Sequence, residues 1–115
     1  MTKIGKIEYI YGSESLYVIN AHYKGKKSRK GLWNTNSQTW SLEPNYFNIE
    51  SLDVKNEIFA LQKEEKGSYT VYNNKTKQQI GDKSYESIYS SGWVKNKTEN
   101  KSYYIDLLTG KEYKD

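Results

Sequence analysis

The sequence predicts a small all-β domain, and three observations support this fold class. Short runs rich in Ile, Val and Tyr alternate with turns rich in Gly, Asn and Asp, which is typical of strands joined by hairpins. Proline occurs once and no Gly/Ser-rich linker is present, which fits one domain over residues 1–115. Ile, Leu, Val and Phe supply only 22 residues, but 3 Trp and 12 Tyr add large side chains for a core.

The candidate strands follow one another along the chain, each bounded by turn residues. They are residues 6–11, 16–23, 31–34, 39–42, 57–63, 68–73, 78–80, 92–97, 102–106 and 111–113. Most of the turns between them contain Gly or Asn, which tolerate the positive φ of tight hairpins.

Residues 53–66 fit two secondary structures. A capping Asp and a terminating Gly flank apolar residues at helical spacing, which predicts a helix. As a strand, the same segment places Phe59 with Leu61 on one face and Ile58 with Ala60 on the other. That second pattern fits a strand covered on both sides.

An internal repeat favours the strand. Residues 46–49 (Tyr-Phe-Asn-Ile) match residues 85–88 (Tyr-Glu-Ser-Ile), 39 positions later, and in this register the ambiguous segment aligns with two other strands. We therefore expect about three repeats of a three-stranded unit, over residues 6–44, 45–82 and 83–115. These antiparallel meanders would form a small sheet or sandwich, or a partial propeller-like array.

Parts of the chain resemble the bacterial WG-repeat (KWG) family, which repeats a Lys-x-Gly-Leu-Ile-Asp-x-x-Gly-Lys block and a Pro-x-Tyr-Asp-x-Ile step. Similar segments are residues 30–38 (Lys-Gly-Leu-Trp-Asn-Thr-Asn-Ser-Gln), 44–49 (Pro-Asn-Tyr-Phe-Asn-Ile) and 104–111 (Tyr-Ile-Asp-Leu-Leu-Thr-Gly-Lys). The Trp-Gly pair itself is reversed at Gly92 and Trp93. The resemblance implies antiparallel meanders and an interaction role, and it implies no catalytic residues.

The composition argues against an enzyme. His22 is the only histidine and cysteine is absent, so metal sites and triads have at most one base. Most acidic residues lie in turns or beside lysines, which is typical of solvated charge rather than of a catalytic pair. Residues 109–111 (Thr-Gly-Lys) lack the upstream glycine and the helix of a phosphate loop. We expect no enzymatic activity, no metal and no cofactor.

The sequence also bears on location. It contains no apolar stretch of the length of a signal peptide or a membrane span, and it contains no cysteine. We therefore expect a cytoplasmic protein without membrane contact.

A basic run is the most informative candidate site. Its five cations in seven residues are Lys24, Lys26, Lys27, Arg29 and Lys30. No acidic residue occurs from position 15 to position 42, so a hairpin here would present a positive surface to phosphates or to an acidic protein. The alternative is a solubilising loop that protects a strand edge. Trp33 and Trp40 flank the hairpin and are candidate contact residues if they are exposed.

The tyrosines are the second candidate. Twelve exceed what a core of this size can hide, and Tyr is frequent in protein interfaces. In the third unit the candidate contacts are Tyr85, Tyr89 and Tyr103; the alternative for each is core packing with the hydroxyl at the surface. Tyr103 and Tyr104 are adjacent in a strand, so only one of them can enter the core of a sheet covered on one face.

These observations predict a non-enzymatic protein that binds another macromolecule. The leading hypothesis is a stoichiometric protein inhibitor with an acidic partner surface, by analogy with immunity proteins and with mobile-element or phage anti-defence inhibitors. The alternative is a nucleic-acid-binding module that combines the basic hairpin with aromatic stacking and binds weakly. A second alternative is sequestration of a small ligand or nucleotide in a pocket lined by Tyr and Trp.

Overall fold

Three antiparallel sheets make up the structure, a computed structural model that describes residues 3–9, 13–22 and 24–114. Each sheet has four strands, and within each sheet the strands lie side by side in chain order. The described residues contain no helix. The predicted all-β class is therefore confirmed.

The strands are grouped by position along the chain. The N-terminal sheet contains β1 (Lys3–Tyr9), β2 (Leu16–His22), β3 (Arg29–Asn34) and β4 (Thr39–Tyr46). The middle sheet contains β5 (Asn48–Asp53), β6 (Ile58–Gln62), β7 (Tyr69–Asn73) and β8 (Gln78–Tyr85). The C-terminal sheet contains β9 (Ser87–Ile88), β10 (Trp93–Asn96), β11 (Lys101–Ile105) and β12 (Glu112–Tyr113).

Each sheet has four strands, one more than the three-stranded unit expected from the sequence. The two strands that the sequence reading missed are β5 and β9. In β5 the register shifts between Ser51 and Asp53, so its buried residues Ile49 and Leu52 are three positions apart and do not alternate. The expected strands at 6–11 and 16–23 also include residues 10, 11 and 23, which lie outside the described part of the chain.

The segment with two possible structures forms a strand, β6, as the repeat register predicted. All five of its residues are buried. Phe59 and Leu61 belong to a cluster shared with the N-terminal sheet, whereas Ile58 and Ala60 belong to a cluster shared with the C-terminal sheet. The middle sheet is therefore covered on both faces, and the helical spacing in this segment was a coincidence of a strand whose first four residues are all apolar.

Two hydrophobic clusters hold the three sheets together. The first lies between the N-terminal and middle sheets and contains Leu16, Val18, Leu32, Ile49, Phe59 and Leu61. The second lies between the middle and C-terminal sheets and contains Leu52, Ile58, Ala60, Val71, Tyr85, Ile88, Val94, Tyr103 and Ile105. Burial of these side chains is the main force that packs each sheet on the next.

Candidate interaction surfaces

The basic hairpin joins β2 to β3 in the N-terminal sheet. Gly25 turns the chain there with a φ of 77°, a left-handed conformation that glycine adopts without strain. Lys24, Lys26 and Lys27 are exposed, and no hydrogen bond or ion pair is found for them within the described residues. These three ammonium groups are therefore available to a partner.

The other two cations of the run are already engaged. Arg29 Nη2 lies 3.2 Å from Glu64 Oε2, in the turn after β6. Lys30 Nζ lies 3.0 Å from Glu8 Oε1 and donates to Asn48 Oδ1 at 3.3 Å. Arg29 and Lys30 thus connect the N-terminal sheet to the middle sheet, which the sequence pattern did not reveal because the acidic partners are distant in the chain.

A concavity lies beside the hairpin. Its volume is about 460 Å³, and its lining includes Lys26, Lys27, Arg29, Glu43 and Pro44. Its lining includes three cations and one carboxylate, so its charge favours an anionic group such as a partner carboxylate or a phosphate.

The two tryptophans lie away from the hairpin, at the other end of β3. Trp33 pairs with Trp40 across β3 and β4, and their rings meet edge to face at 5.1 Å. Both side chains are half-buried. The Trp40 ring covers Gly31, where an added Cβ would come within 2.8 Å of the indole. The structure therefore separates these aromatic residues from the free lysines, although all of them belong to one sheet.

Two of the three candidate tyrosines are core residues. Tyr85 and Tyr103 are each 4% exposed, and their rings meet edge to face at 6.4 Å between the middle and C-terminal sheets. Their selection as surface residues is thus corrected, because strand alternation turns Tyr103 inward and its neighbour Tyr104 outward. Tyr89 is 56% exposed, which leaves it able to contact a partner.

The outer side of the C-terminal sheet exposes an aromatic group of which the sequence analysis selected only Tyr89. We call it the C-terminal end face; it consists of Tyr89, Trp93, Tyr104 and Tyr113. Trp93, Tyr104 and Tyr113 are 36%, 51% and 54% exposed, and the Trp93 and Tyr104 rings lie 4.8 Å apart. Alternation in β10 and β11 was the signal that could have found them, since Val94 and Tyr103 point into the core.

An ion-pair network joins the middle sheet to the C-terminal sheet. Lys83 of β8 lies 2.8 Å from Glu112 and 3.3 Å from Glu99, and Lys114 lies 2.6 Å from Glu99. The Tyr103 hydroxyl also donates to Glu99, at 3.0 Å.

These contacts keep both carboxyl groups ionised. The Lys114 ammonium is the main cause that lowers the pKa of Glu99 to about 2, and Lys83 lowers the pKa of Glu112. A general acid at neutral pH needs a raised pKa instead. The geometry therefore favours a structural role for this network.

A second concavity is lined in part by tyrosines. It measures about 570 Å³ and is bordered by Tyr46, Leu61, Thr70 and Tyr72 near the junction of the N-terminal and middle sheets. Burial raises the pKa of Tyr46 and of Tyr72, so both phenols stay protonated at neutral pH. Its chemistry suits a small apolar group with a hydrogen-bond acceptor.

The single histidine takes part in a local contact. His22 lies at the end of β2, and its ring is hydrogen-bonded to the Ser28 hydroxyl of the basic hairpin. Over residues 3–9, 13–22 and 24–114, no three His, Asp or Glu side chains are grouped in a way that could hold a metal ion. In the same part of the chain, no helix has the length and apolar character that a membrane crossing requires.

No protein-family model, no curated protein and no solved structure matches this chain.

Proposed function

We propose that this chain is a non-enzymatic, cytoplasmic protein-binding domain, and that it acts as a stoichiometric inhibitor of a partner with an acidic surface. The observation that supports the proposal is the basic hairpin, where Lys24, Lys26 and Lys27 are exposed and without an ion pair in the described residues. Lysines in this state attract an acidic partner over a distance of about one Debye length, roughly 8 Å at physiological salt.

The fold supports contact through surface loops. At the base of the hairpin Arg29 is paired with Glu64, Lys30 with Glu8 of β1, and Lys30 also donates to Asn48 of the middle sheet, so the free lysines project from an anchored position. A preorganised loop loses less conformational entropy on binding than a flexible one. The resemblance to WG repeats is consistent with an interaction role, and the inhibitory role of an immunity or anti-defence protein rests on analogy with small proteins of this type.

Nucleic acid is the less favoured partner. Single-stranded nucleic acid binds best where cations and stacking aromatic rings share one surface. Here the free lysines belong to the N-terminal sheet, whereas four of the exposed aromatic rings form the C-terminal end face, beyond the middle sheet. Among the described residues, Phe47, between β4 and β5, is the one other exposed aromatic ring. Three lysines also neutralise few phosphates, so any such binding should disappear as salt rises to physiological concentration.

The test uses two matched baits, the parent chain and the Lys24→Ser/Lys26→Ser/Lys27→Ser variant. We expect the parent to retain one protein from an extract of the cells that carry the gene, at one partner per chain. The variant should bind that purified protein at least about tenfold more weakly at low salt, about 1.4 kcal/mol, and the difference should shrink at high salt. The variant should melt as the parent does, since exposed loop charges contribute little stability.

Two results would overturn the proposal. One is equal affinity of parent and variant for the retained protein, which would make the hairpin a solubilising loop. The other is sequence-specific binding of a labelled single-stranded oligonucleotide that survives physiological salt, which would favour the nucleic-acid function.

A further inference from the structure

The two ends of the stack expose positions that are buried where sheet meets sheet. In each sheet, three residues that are paired side by side, one each on the second, third and fourth strands, form a row across the sheet. These rows occupy equivalent positions in the three sheets. The rows are Val18, Leu32 and Leu42 in the N-terminal sheet, Ala60, Val71 and Ile80 in the middle sheet, and Trp93, Tyr104 and Tyr113 in the C-terminal sheet. The first two rows pack against the following sheet. The third row has no following sheet among the described residues.

Each of the first two rows packs against the following sheet, where an apolar pair on the first and second strands faces it. In the middle sheet Ile49 of the first strand pairs with Leu61 of the second, and both are buried against the N-terminal sheet. In the C-terminal sheet Ile88 pairs with Val94 in the same way, buried against the middle sheet.

The N-terminal sheet has the same pair on its outer side. Ile7 of β1 pairs with Ile19 of β2; Ile19 is buried, at 6% exposure, whereas Ile7 is 45% exposed. Its equivalents Ile49 and Ile88 are only 3% and 6% exposed. We call this outer side the N-terminal end face. Among the described residues, no further sheet covers Ile7 in the way that neighbouring sheets cover Ile49 and Ile88.

We propose that this protein associates with itself head to tail, the C-terminal end face of one copy packing on the N-terminal end face of the next. The contact continues the packing that already joins the middle sheet to its neighbours. The row that would pack on the next copy consists of Trp93, Tyr104 and Tyr113. It is aromatic rather than aliphatic, and Trp and Tyr are enriched among the residues that dominate protein interfaces. Because the two faces differ, the association is heterologous and forms a chain or, if the rotation closes, a ring.

The experiment places a negative charge on one end face at a time, where association would bury it. Tyr104→Glu blocks the C-terminal end face, and Ile7→Glu blocks the N-terminal end face; both positions are exposed in the single copy. We expect the parent's sedimenting mass to rise above 13.5 kDa as its concentration increases from about 10 to about 300 µM, the range of weak protein contacts. Each variant alone should remain a monomer.

The equimolar mixture of the two variants gives the decisive result. Each variant retains the face that the other has lost, so the mixture should form a dimer and nothing larger. Thr76→Glu, on an exposed turn of the middle sheet, should associate as the parent does, and so should the triple hairpin variant, which separates this proposal from the proposed function. Thermal melts check folding, and Tyr113→Glu replaces Tyr104→Glu if the latter melts early.

Three results would overturn head-to-tail association. A parent that stays monomeric over the whole range would show that the end faces do not bind one another. Dimerisation of Ile7→Glu alone would show instead that two C-terminal end faces pair symmetrically. Continued association of Tyr104→Glu and of Tyr113→Glu would show that the contact lies elsewhere on the molecule.

Discussion

Single side chains determine the hairpins at the ends of the third strands. Asn34, Asn73 and Asp106 each accept hydrogen bonds from the backbone N–H groups two and three residues later, at 2.8–3.3 Å. This is the local bonding that makes Asn and Asp good turn residues, and it explains why these turns could be predicted from the sequence. Four residues after each of these side chains, Gln38, Lys77 and Gly110 have a left-handed φ, and only one of these three residues is a glycine.

Gly92 differs from the other left-handed glycines because a Cβ added to it would clash with backbone. Its φ is 92°, and a Cβ at this position would lie 2.5 Å from the Ile105 carbonyl oxygen. Gly81 has a φ of 72° and no atom within 4 Å of an added Cβ. The two positions separate the effect of conformation from the effect of a clash.

We predict that Gly92→Ala lowers the free energy of unfolding by about 3 kcal/mol, through strain and a clash with fixed backbone. The matched Gly81→Ala should cost only about 1 kcal/mol, through its φ alone. Chemical denaturation of both variants measures the difference. Equal losses would mean that Ile105 moves away without cost and that β10 and β11 are not held together as described.

At the scale of elements, the strand most open to misreading is the one that holds the fold together. In β6, Ile58 and Ala60 face one sheet while Phe59 and Leu61 face another, so no polar residue marks a solvent side. Periodicity cannot separate such a run from a buried helix, and only the repeat register separated them. By contrast, β9 has two residues, too few to show alternation, and its only signal in the sequence was the match of residues 85–88 to residues 46–49.

The contact between β8 and the C-terminal sheet should depend on pH. The Lys114 contact holds the pKa of Glu99 at about 2, below its ordinary value of 4.5, and the pKa of Glu112 is lowered by Lys83. A carboxyl group with a lowered pKa stabilises the folded state above its ordinary pKa and loses this effect as the pH falls towards its folded value. The network should therefore stabilise the protein at neutral pH and weaken between about pH 5 and pH 2.

We predict that Glu99→Gln lowers the melting temperature at pH 7 and has progressively less effect as the pH falls to 2. Thermal melts over this pH range measure the effect. Glu65→Gln serves as the control, since Glu65 is exposed in the turn after β6 and makes no ion pair within the described residues. A constant difference between Glu99→Gln and the parent at every pH would show that the lost contact is not ionic.

At the scale of the whole molecule, the sequence predicted the class and the loops better than the surfaces. The charge of Lys24, Lys26 and Lys27 follows from local composition, so this part of the candidate site could be found without a structure. Which side of each sheet is covered depends on contacts between residues distant in the chain. For that reason the burial of Tyr103 and the exposure of Tyr104 could be stated from sequence only as alternatives.

The middle sheet is covered on both faces, and the positions of the hairpin and of both end faces follow from this arrangement. Amide hydrogen exchange measured residue by residue tests the arrangement. The amides of Ile58–Gln62 pair with β5 on one side and β7 on the other, and their side chains are buried on both faces. They should be the slowest to exchange, opening only with global unfolding. If these amides exchanged as fast as those of the exposed turn at residues 63–66, the middle sheet would not be covered on both faces.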